Sequence, residues 1–181
     1  MEYRKTVRLK DGRECVLRSG RESDGGAVLT CFLVTHEETD NLLAYPDEST
    51  MTAEQEAEFL GKKAEDPRGV MLLAEVDGEL AGTAGIDPVG EREKIRHRAE
   101  FGIGIFRKYW GLGIGRALLE ACVECAEKAG YEQLELSVVA DNEKAIGLYK
   151  SVGFTEYGRN PKGFRSRSSG WQELVYMRKE L

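Results

Sequence analysis

The segment that most constrains the fold is Phe101-Gly102-Ile103-Gly104-Ile105-Phe106-Arg107-Lys108-Tyr109-Trp110-Gly111-Leu112-Gly113-Ile114-Gly115-Arg116. Ala99, Phe101, Ile103 and Ile105 alternate with smaller or polar residues, which is the period of a strand. From Gly113 the period changes, and Ile114, Ala117, Leu118, Ala121, Cys122, Cys125 and Ala126 keep helical spacing until Gly130. A strand therefore runs into a loop with glycine at 111, 113 and 115, and an amphipathic helix opens directly behind it. Glycines there let successive backbone N–H groups approach an anion with no Cβ in the way, at the positive end of a helix dipole, so a phosphate is the natural guest. No Lys-Ser/Thr follows the last glycine, which excludes a Walker loop, and the GxGxG spacing fits a dinucleotide fingerprint poorly. Taken singly, the segment reads equally well as a tight turn.

The rest of the chain supplies further strands and helices. Residues 6–9 and 14–18 flank Asp11-Gly12, and residues 70–76 and 80–86 flank Asp77-Gly78, both hairpin signals. Between them a first helix is expected over residues 27–35, with Ser23 or Asp24 as N-cap. A second opens on the capping box Thr52-Ala53-Glu54-Gln55 and runs to about Ala64. Residues 88–98 read as a charged connection. Leu134, Leu136 and Val138 alternate as a strand, Asp141 or Asn142 caps a helix that Gly153 ends, and residues 171–177 form the last strand behind a Gly- and Ser-rich loop. This order predicts an α/β (mixed α+β) sheet fold, and 181 residues read as a single domain, 1–181.

Composition removes several classes of function. Hydrophobic residues make up 41% and charged residues 32%, the balance of a soluble globular chain, and no apolar run approaches membrane-spanning length. A net charge of −6 argues against nucleic acid as partner. No apolar stretch of signal-peptide length follows Met1, so a cytoplasmic location is expected. Cys122 and Cys125 have CxxC spacing, yet they fall on the apolar stripe of the helix, no second pair exists, and the only histidines are His36 and His97. They read as buried core thiols, as do Cys15 and Cys31, and no metal is expected.

A second block, Asn142-Glu143-Lys144-Ala145-Ile146-Gly147-Leu148-Tyr149-Lys150-Ser151-Val152-Gly153-Phe154, carries every position of Asn-x-x-Ala-x-x-x-Tyr-x-x-x-Gly-Phe. Trp110-Gly111-Leu112-Gly113-Ile114-Gly115 matches Gln/Arg-x-x-Gly-x-Gly/Ala except in its first place. With the strand between them, the two blocks resemble the GCN5-related N-acetyltransferase (GNAT) superfamily over residues 99–154, and the order of elements resembles it along nearly the whole chain. The resemblance implies a central, mostly antiparallel mixed sheet with one splayed pair of strands, flanked by about four helices. It implies acetyl-CoA as the acetyl donor. The backbone of Ile103, Gly104 and Ile105 would pair with the pantetheine arm as an added strand. Gly111, Leu112, Gly113, Ile114, Gly115 and Arg116 would hold the pyrophosphate, and Asn142 would hydrogen-bond the arm. Tryptophan at 110 leaves the backbone cradle intact but removes one polar side chain.

The implied reaction is direct attack of an amine on the thioester in a ternary complex, with Tyr149 protonating the leaving thiolate, a task that suits a phenol of pKa about 10. The plainer role for Tyr149 is an aromatic packed beside Leu148. For the base, Glu100 is the first candidate, His97 the second and a water chain the third. Relatives that acetylate protein N-termini often carry glutamate at the position of Ser137. A non-catalytic acyl-CoA-binding or regulatory module on the same fold is the other reading. Dimers are common among such proteins, so a homodimer is within the expectation.

The resemblance also implies that the first two helices and the loop before the last strand shape the acceptor pocket, and their charges are opposite. Residues 37–66 hold ten acidic residues against Lys62 and Lys63, a local charge of −8, which would favour a cationic acceptor such as a polyamine or aminoglycoside, or a peptide amine, unless it is simply a solvated face. Residues 158–170 carry Arg159, Lys162, Arg165 and Arg167 with no acid. That segment would attract an acceptor's carboxylate or the cofactor's 3′-phosphate, or be a mobile exposed loop.

Overall fold

A computed structural model of the chain describes residues 1–181. The elements are β1 (Arg4–Arg8), β2 (Glu14–Ser19), α1 (Gly25–Glu38), α2 (Ala53–Glu65), β3 (Val70–Val76), β4 (Glu79–Pro88), β5 (Arg98–Ile105), α3 (Ile114–Lys128), β6 (Gln133–Val139), α4 (Glu143–Ser151), β7 (Thr155–Ser166) and β8 (Gly170–Glu180). All eight strands join one sheet in the order β1-β2-β3-β4-β5-β6-β8-β7. Every neighbouring pair is antiparallel except β5 with β6. This is the mixed α/β architecture, mostly antiparallel with four helices, that the resemblance implies.

Strand alternation assigns the two faces. Ala99 and Phe101 of β5, Leu134, Leu136 and Val138 of β6, and Val175 and Met177 of β8 are buried in the main core with the inner stripe of α3 and Tyr149 of α4. The opposite face is covered by α1 and α2, where Val28 and Leu60 pack on Leu73. Close approach of these two helices depends on Gly25, since a Cβ there would lie 2.6 Å from the Ala53 carbonyl oxygen.

Local signals place most element ends. The Thr52 hydroxyl accepts from Gln55 N–H at 3.3 Å and Gln55 returns the bond to Thr52 N–H at 2.9 Å, so the capping box forms. Asp24 stands at the N-cap of α1, but its carboxylate accepts from Arg18 at 2.7 and 2.8 Å instead of capping the helix. All four cysteines are free and buried. Burial pushes the Cys125 thiol up to about 11 and raises Cys122 well above its ordinary value, as core thiols require.

The main departure from expectation lies at residues 158–170. The mobile loop expected there is the second half of β7 and its turn into β8. β7 is the sheet edge, exposed along most of its length, and its register with β8 slips between Glu156 and Gly158 and again between Asn160 and Phe164. An edge strand exposed along most of its length and carrying two irregularities has no apolar alternation to read. Gly163 marks the second slip, because a Cβ there would fall 2.3 Å from Leu174 Cγ.

Candidate active site

β5 and β6 are paired at three rungs only, Arg98 with Gln133, Ala99 with Leu134 and Glu100 with Glu135. Beyond that the strands part, β5 following β4 to Ile105 and β6 following β8 to Val139. Phe106 N–H donates to the Ala81 carbonyl at 3.1 Å. Antiparallel ladders alternate, so Gly102 and Gly104 turn their main-chain groups toward β4, and Phe101, Ile103 and Ile105 turn theirs into the gap. Gly104 serves through its missing side chain, since a Cβ would come 3.1 Å from Thr35 Oγ1 of α1.

The tryptophan that breaks the loop pattern is still a donor. Trp110 Nε1–H donates to the Ile105 carbonyl at 2.7 Å, and the Arg107 guanidinium lies 5.5 Å from the centre of its ring. The indole thus fastens the loop to the last carbonyl of β5. Gly111 and Gly113 have φ of 81° and 100°, left-handed values that a side chain resists. Gly113 is the N-cap of α3, and the first helical bond runs from Ala117 N–H to the Gly113 carbonyl at 3.1 Å. The N–H groups of Ile114, Gly115 and Arg116 therefore have no acceptor within the helix. Leu112 accepts from Lys10 N–H at 3.1 Å, tying the loop to the β1–β2 turn.

Gly115 has a different reason to be glycine. A Cβ there would lie 3.3 Å from Leu148 Cδ2 and 3.5 Å from Ile105 Cδ1, so its absence lets α3 lie close to α4 and β5. Arg116 donates to Ser151 Oγ at 2.7 Å, joining α3 to the end of α4. Asn142 caps α4, its Oδ1 accepting from Ala145 N–H at 3.3 Å, while its Nδ2 has no protein partner.

Tyr149 projects from α4 into the core at 7% exposure, between Phe101 and Phe154, whose ring centres lie 6.2 and 6.1 Å away. Burial pushes its phenol up to about 12. Every fully enclosed side-chain polar atom in the protein has a hydrogen-bond partner. The Tyr149 hydroxyl has none, so it must reach accessible space.

Glu100 stands at the fork on the opposite face of the sheet and is exposed. Across from it on either side are Asp87, ion-paired with Lys63, and Glu135, held by Arg98. The Arg98 guanidinium keeps the Glu135 carboxyl below its usual range. His97 lies at the closed end of the pair, where its carbonyl accepts from Glu132 and Gln133 N–H at 2.9 and 3.2 Å. Its side chain lines a cavity of about 380 Å³ with Arg68, Arg96 and Glu132. That cavity sits where β5 and β6 are still paired. The fold thus gathers Glu100, Tyr149, Asn142 and the glycine loop around the open end and leaves His97 outside. Ser137 lies exposed on β6, two residues past Glu135 on the same face.

The acidic and basic segments of the sequence meet each other. Asp40 Oδ2, just past α1, accepts from Ser166, Ser168 and Ser169 of the β7–β8 turn at 2.6, 3.2 and 3.1 Å. Arg167 pairs with Asp47 at 2.8 Å and lies 4.0 Å from the centre of the Tyr45 ring. A cavity of about 180 Å³ lies between the segments, lined by Leu42, Tyr45, Phe164 and Gln172 among others. The two charge runs, expected from the sequence to attract substrate separately, are thus spent partly on each other. Their opposite signs were the available clue that they bind each other.

Comparison with known proteins places this arrangement. A profile of the acetyltransferase (GNAT) family matches residues 32–154, which include the fork, the glycine loop and Tyr149. The chain is 32% identical over 115 residues to the L-amino acid N-acetyltransferase AaaT of Escherichia coli, across 63% of this chain and 70% of that protein. It is 32% identical over 119 residues to a mycothiol acetyltransferase of Paenarthrobacter aurescens, across 62% of this chain and 35% of that one, so it spans about a third of that relative's length. Among solved structures, an acetyltransferase of the GNAT family from Streptococcus pneumoniae superposes with a TM-score of 0.88 at 28% identity, covering 92% of this chain and 99% of that chain. An acetyltransferase from Salmonella typhimurium, solved with its cofactor acetyl-CoA, shares the fold at 19% identity with a TM-score of 0.82, covering 92% and 94% of the two chains. Matched by the family profile over about two thirds of its length, this chain belongs to the acetyltransferase (GNAT) family of acyltransferases.

Proposed function

We propose that the protein is an acetyl-CoA-dependent N-acetyltransferase that moves the acetyl group to a primary amine by direct attack in a ternary complex. The observation that carries this reading is the fork between β5 and β6, with unpaired backbone along one arm, Tyr149 on one face and Glu100 on the other. Ile103 and the N–H of Ile105, whose carbonyl is engaged by Trp110, offer the pantetheine arm the edge of a strand, and Asn142 Nδ2 is free to donate to it. Residues 111–116 offer the pyrophosphate successive N–H groups at the head of α3. Bound acetyl-CoA supplies the acetyl group as an activated thioester.

The remaining chemistry belongs to the chain. Most amines are protonated near neutral pH and must lose a proton before attack, which Glu100 accepts directly or through water from the open side. Tyr149, its phenol pushed up to about 12, keeps its proton until the thiolate leaves and then gives it to the sulfur. Because the acidic and basic segments neutralise each other in part, the charge that selects the acceptor is the carboxylate at the fork. It favours a small cationic amine or the amine of a peptide. The name of the Escherichia coli relative, an L-amino acid N-acetyltransferase, agrees with an amine acceptor. A cytoplasmic location belongs to the same proposal.

The test is thiol release from acetyl-CoA over a panel containing a polyamine, an aminoglycoside, an amino acid and a short peptide. Release matched by acetylated amine for at least one of them is the expected result. Tight acetyl-CoA binding with no release across the panel replaces the reading with a non-catalytic acyl-CoA-binding module.

A further inference from the structure

The rung at which β5 and β6 part carries an inference about how the base is set, and it rests on the reading of Glu100 as the group that takes the amine's proton. Asp87 of β4, Glu100 of β5 and Glu135 of β6 stand side by side there, on the face that α1 and α2 cover. Like charges directly across neighbouring strands repel. Each outer carboxylate has its own cation. Lys63 of α2, with 6% of its side chain exposed, pairs with Asp87. Arg98, two residues before Glu100 and therefore on the same face, grips both oxygens of Glu135, with Nη2 2.7 Å from Oε2. Gln133 Nε2 and the Tyr157 hydroxyl also donate to Glu135, at 2.7 and 3.4 Å.

The inner face of α2 also carries Glu56, a buried carboxylate without an ion pair, two turns before Lys63. Arg178, across from Glu135 on β8, lies 3.8 Å from Glu180 and over the Tyr157 ring. From α1, Thr35 lies against Gly104, further along β5. Glu100 alone in the row has neither an ion pair nor a side-chain hydrogen bond.

We propose that Arg98 and Lys63 are positioning residues for the transfer: by holding Glu135 and Asp87 in ion pairs, they leave Glu100 as the one carboxylate of the row with no cation of its own, free to receive a proton. In that step an ammonium N–H bond breaks, an O–H bond forms on Glu100, and the freed nitrogen lone pair becomes the nucleophile. Without its cation, either neighbour is a second negative charge one strand away, about 5 Å, and it opposes ionisation of Glu100.

The test reads Glu100 directly, by carbon-13 NMR of its side-chain carboxyl in the full chain with no acceptor added. R98A is expected to move the Glu100 titration midpoint up by about one pH unit, because Glu135 then stands opposite it unpaired. R98A/E135Q is expected to return the midpoint to within a few tenths of a unit of wild type, since charge and countercharge leave together. A purely structural role for Arg98 predicts no such rescue. If R98A does not fold, E135Q alone decides, because it leaves the Arg98 cation beside Glu100 and must lower the midpoint. In the active enzyme the rising limb of kcat/KM against pH follows the same series. Coincident midpoints in all variants of an active enzyme overturn this inference alone. Absence of thiol release with every amine removes the transferase reading while the NMR series stands.

Discussion

Tyr149 of α4 meets Phe101 of β5 edge to face, with ring centres 6.2 Å apart and planes at 79°. The phenol is therefore located by the strand that carries Glu100 one residue earlier, and the two groups flank the fork from opposite faces of the sheet.

Tyr149→Phe keeps this ring contact and removes only the hydroxyl. Turnover is expected to fall by about two orders of magnitude while acetyl-CoA affinity changes less than about twofold. Steady-state thiol release and calorimetric titration of acetyl-CoA measure the two effects, and a wild-type rate would sink the proton-donor role. The pH dependence has a definite sign. The folded protein pushes this phenol up to about 12 by burial, against about 10 when unfolded. Folding therefore favours the protonated form, and this contribution to stability is present below pH 10 and lost as pH rises from about 10 to 12. Alkaline unfolding should show a smaller loss across that window in Tyr149→Phe than in wild type, the remainder coming from the buried cysteines and Tyr3, whose acid groups are raised in the same way.

Trp110 supplies the donor that closes the loop onto Ile105. Trp110→Phe keeps an aromatic for Arg107 to stack on but deletes the indole N–H, and acetyl-CoA affinity is expected to fall about three- to tenfold as the loop loosens, the effect of one net hydrogen bond. Trp110→Gln restores a donor at the position the family pattern gives to a polar residue. It is expected to recover most of that affinity, as measured by the same calorimetry.

The two glycines at the head of α3 should fail differently. Gly113→Ala forces a side chain onto φ of 100° and is expected to cost about 1–2 kcal/mol of stability, with a larger loss in acetyl-CoA binding than in turnover at saturation. Gly115→Ala meets Leu148 Cδ2 at 3.3 Å, and Leu148 neighbours Tyr149 on α4. Its effect should fall on turnover more than on binding. Thermal melts together with kcat and Kd separate the two patterns, and identical profiles for both variants would count against the distinction.

What the sequence disclosed was local chemistry. Glycines 111 and 113, the Thr52 capping box and the Asp77-Gly78 turn each act within a few residues, so their types and spacing suffice to place a loop, a helix start and a hairpin. Asn142 and Tyr149 were legible for the same reason, lying seven residues apart on one short helix. The fork was readable only through family resemblance, because the point where β5 leaves β6 depends on how far two distant strands stay in register. Glu135 was hidden between Leu134 and Leu136, where a buried carboxylate looks like the solvent side of an alternating strand until Arg98 is brought beside it. Asp40 and Ser166 are 126 residues apart, and no local signal links them.

That last contact makes the final prediction. Asp40 accepts from three serines of the β7–β8 turn and is itself only a few residues beyond α1, so it ties the wall of the smaller cavity to the edge of the sheet. Asp40→Ala removes the shared acceptor without touching the fork or the glycine loop. The expected outcome is a roughly tenfold rise in the acceptor KM, by analogy with losing a charge-assisted hydrogen bond, with acetyl-CoA affinity unchanged. Arg167→Ala, which breaks an exposed ion pair in the same seam, should have a smaller effect. The Ser166 hydrogen bond holds the Asp40 carboxyl below its usual range, so this tie is intact above the ordinary carboxylate value of about 4 and weakens as pH falls below it. Hydrogen exchange of residues 39–48 and 166–172 measures the tie directly. It should quicken in Asp40→Ala at neutral pH and in wild type under acid, and unchanged exchange in the variant would mean that the cavity wall is held by something else.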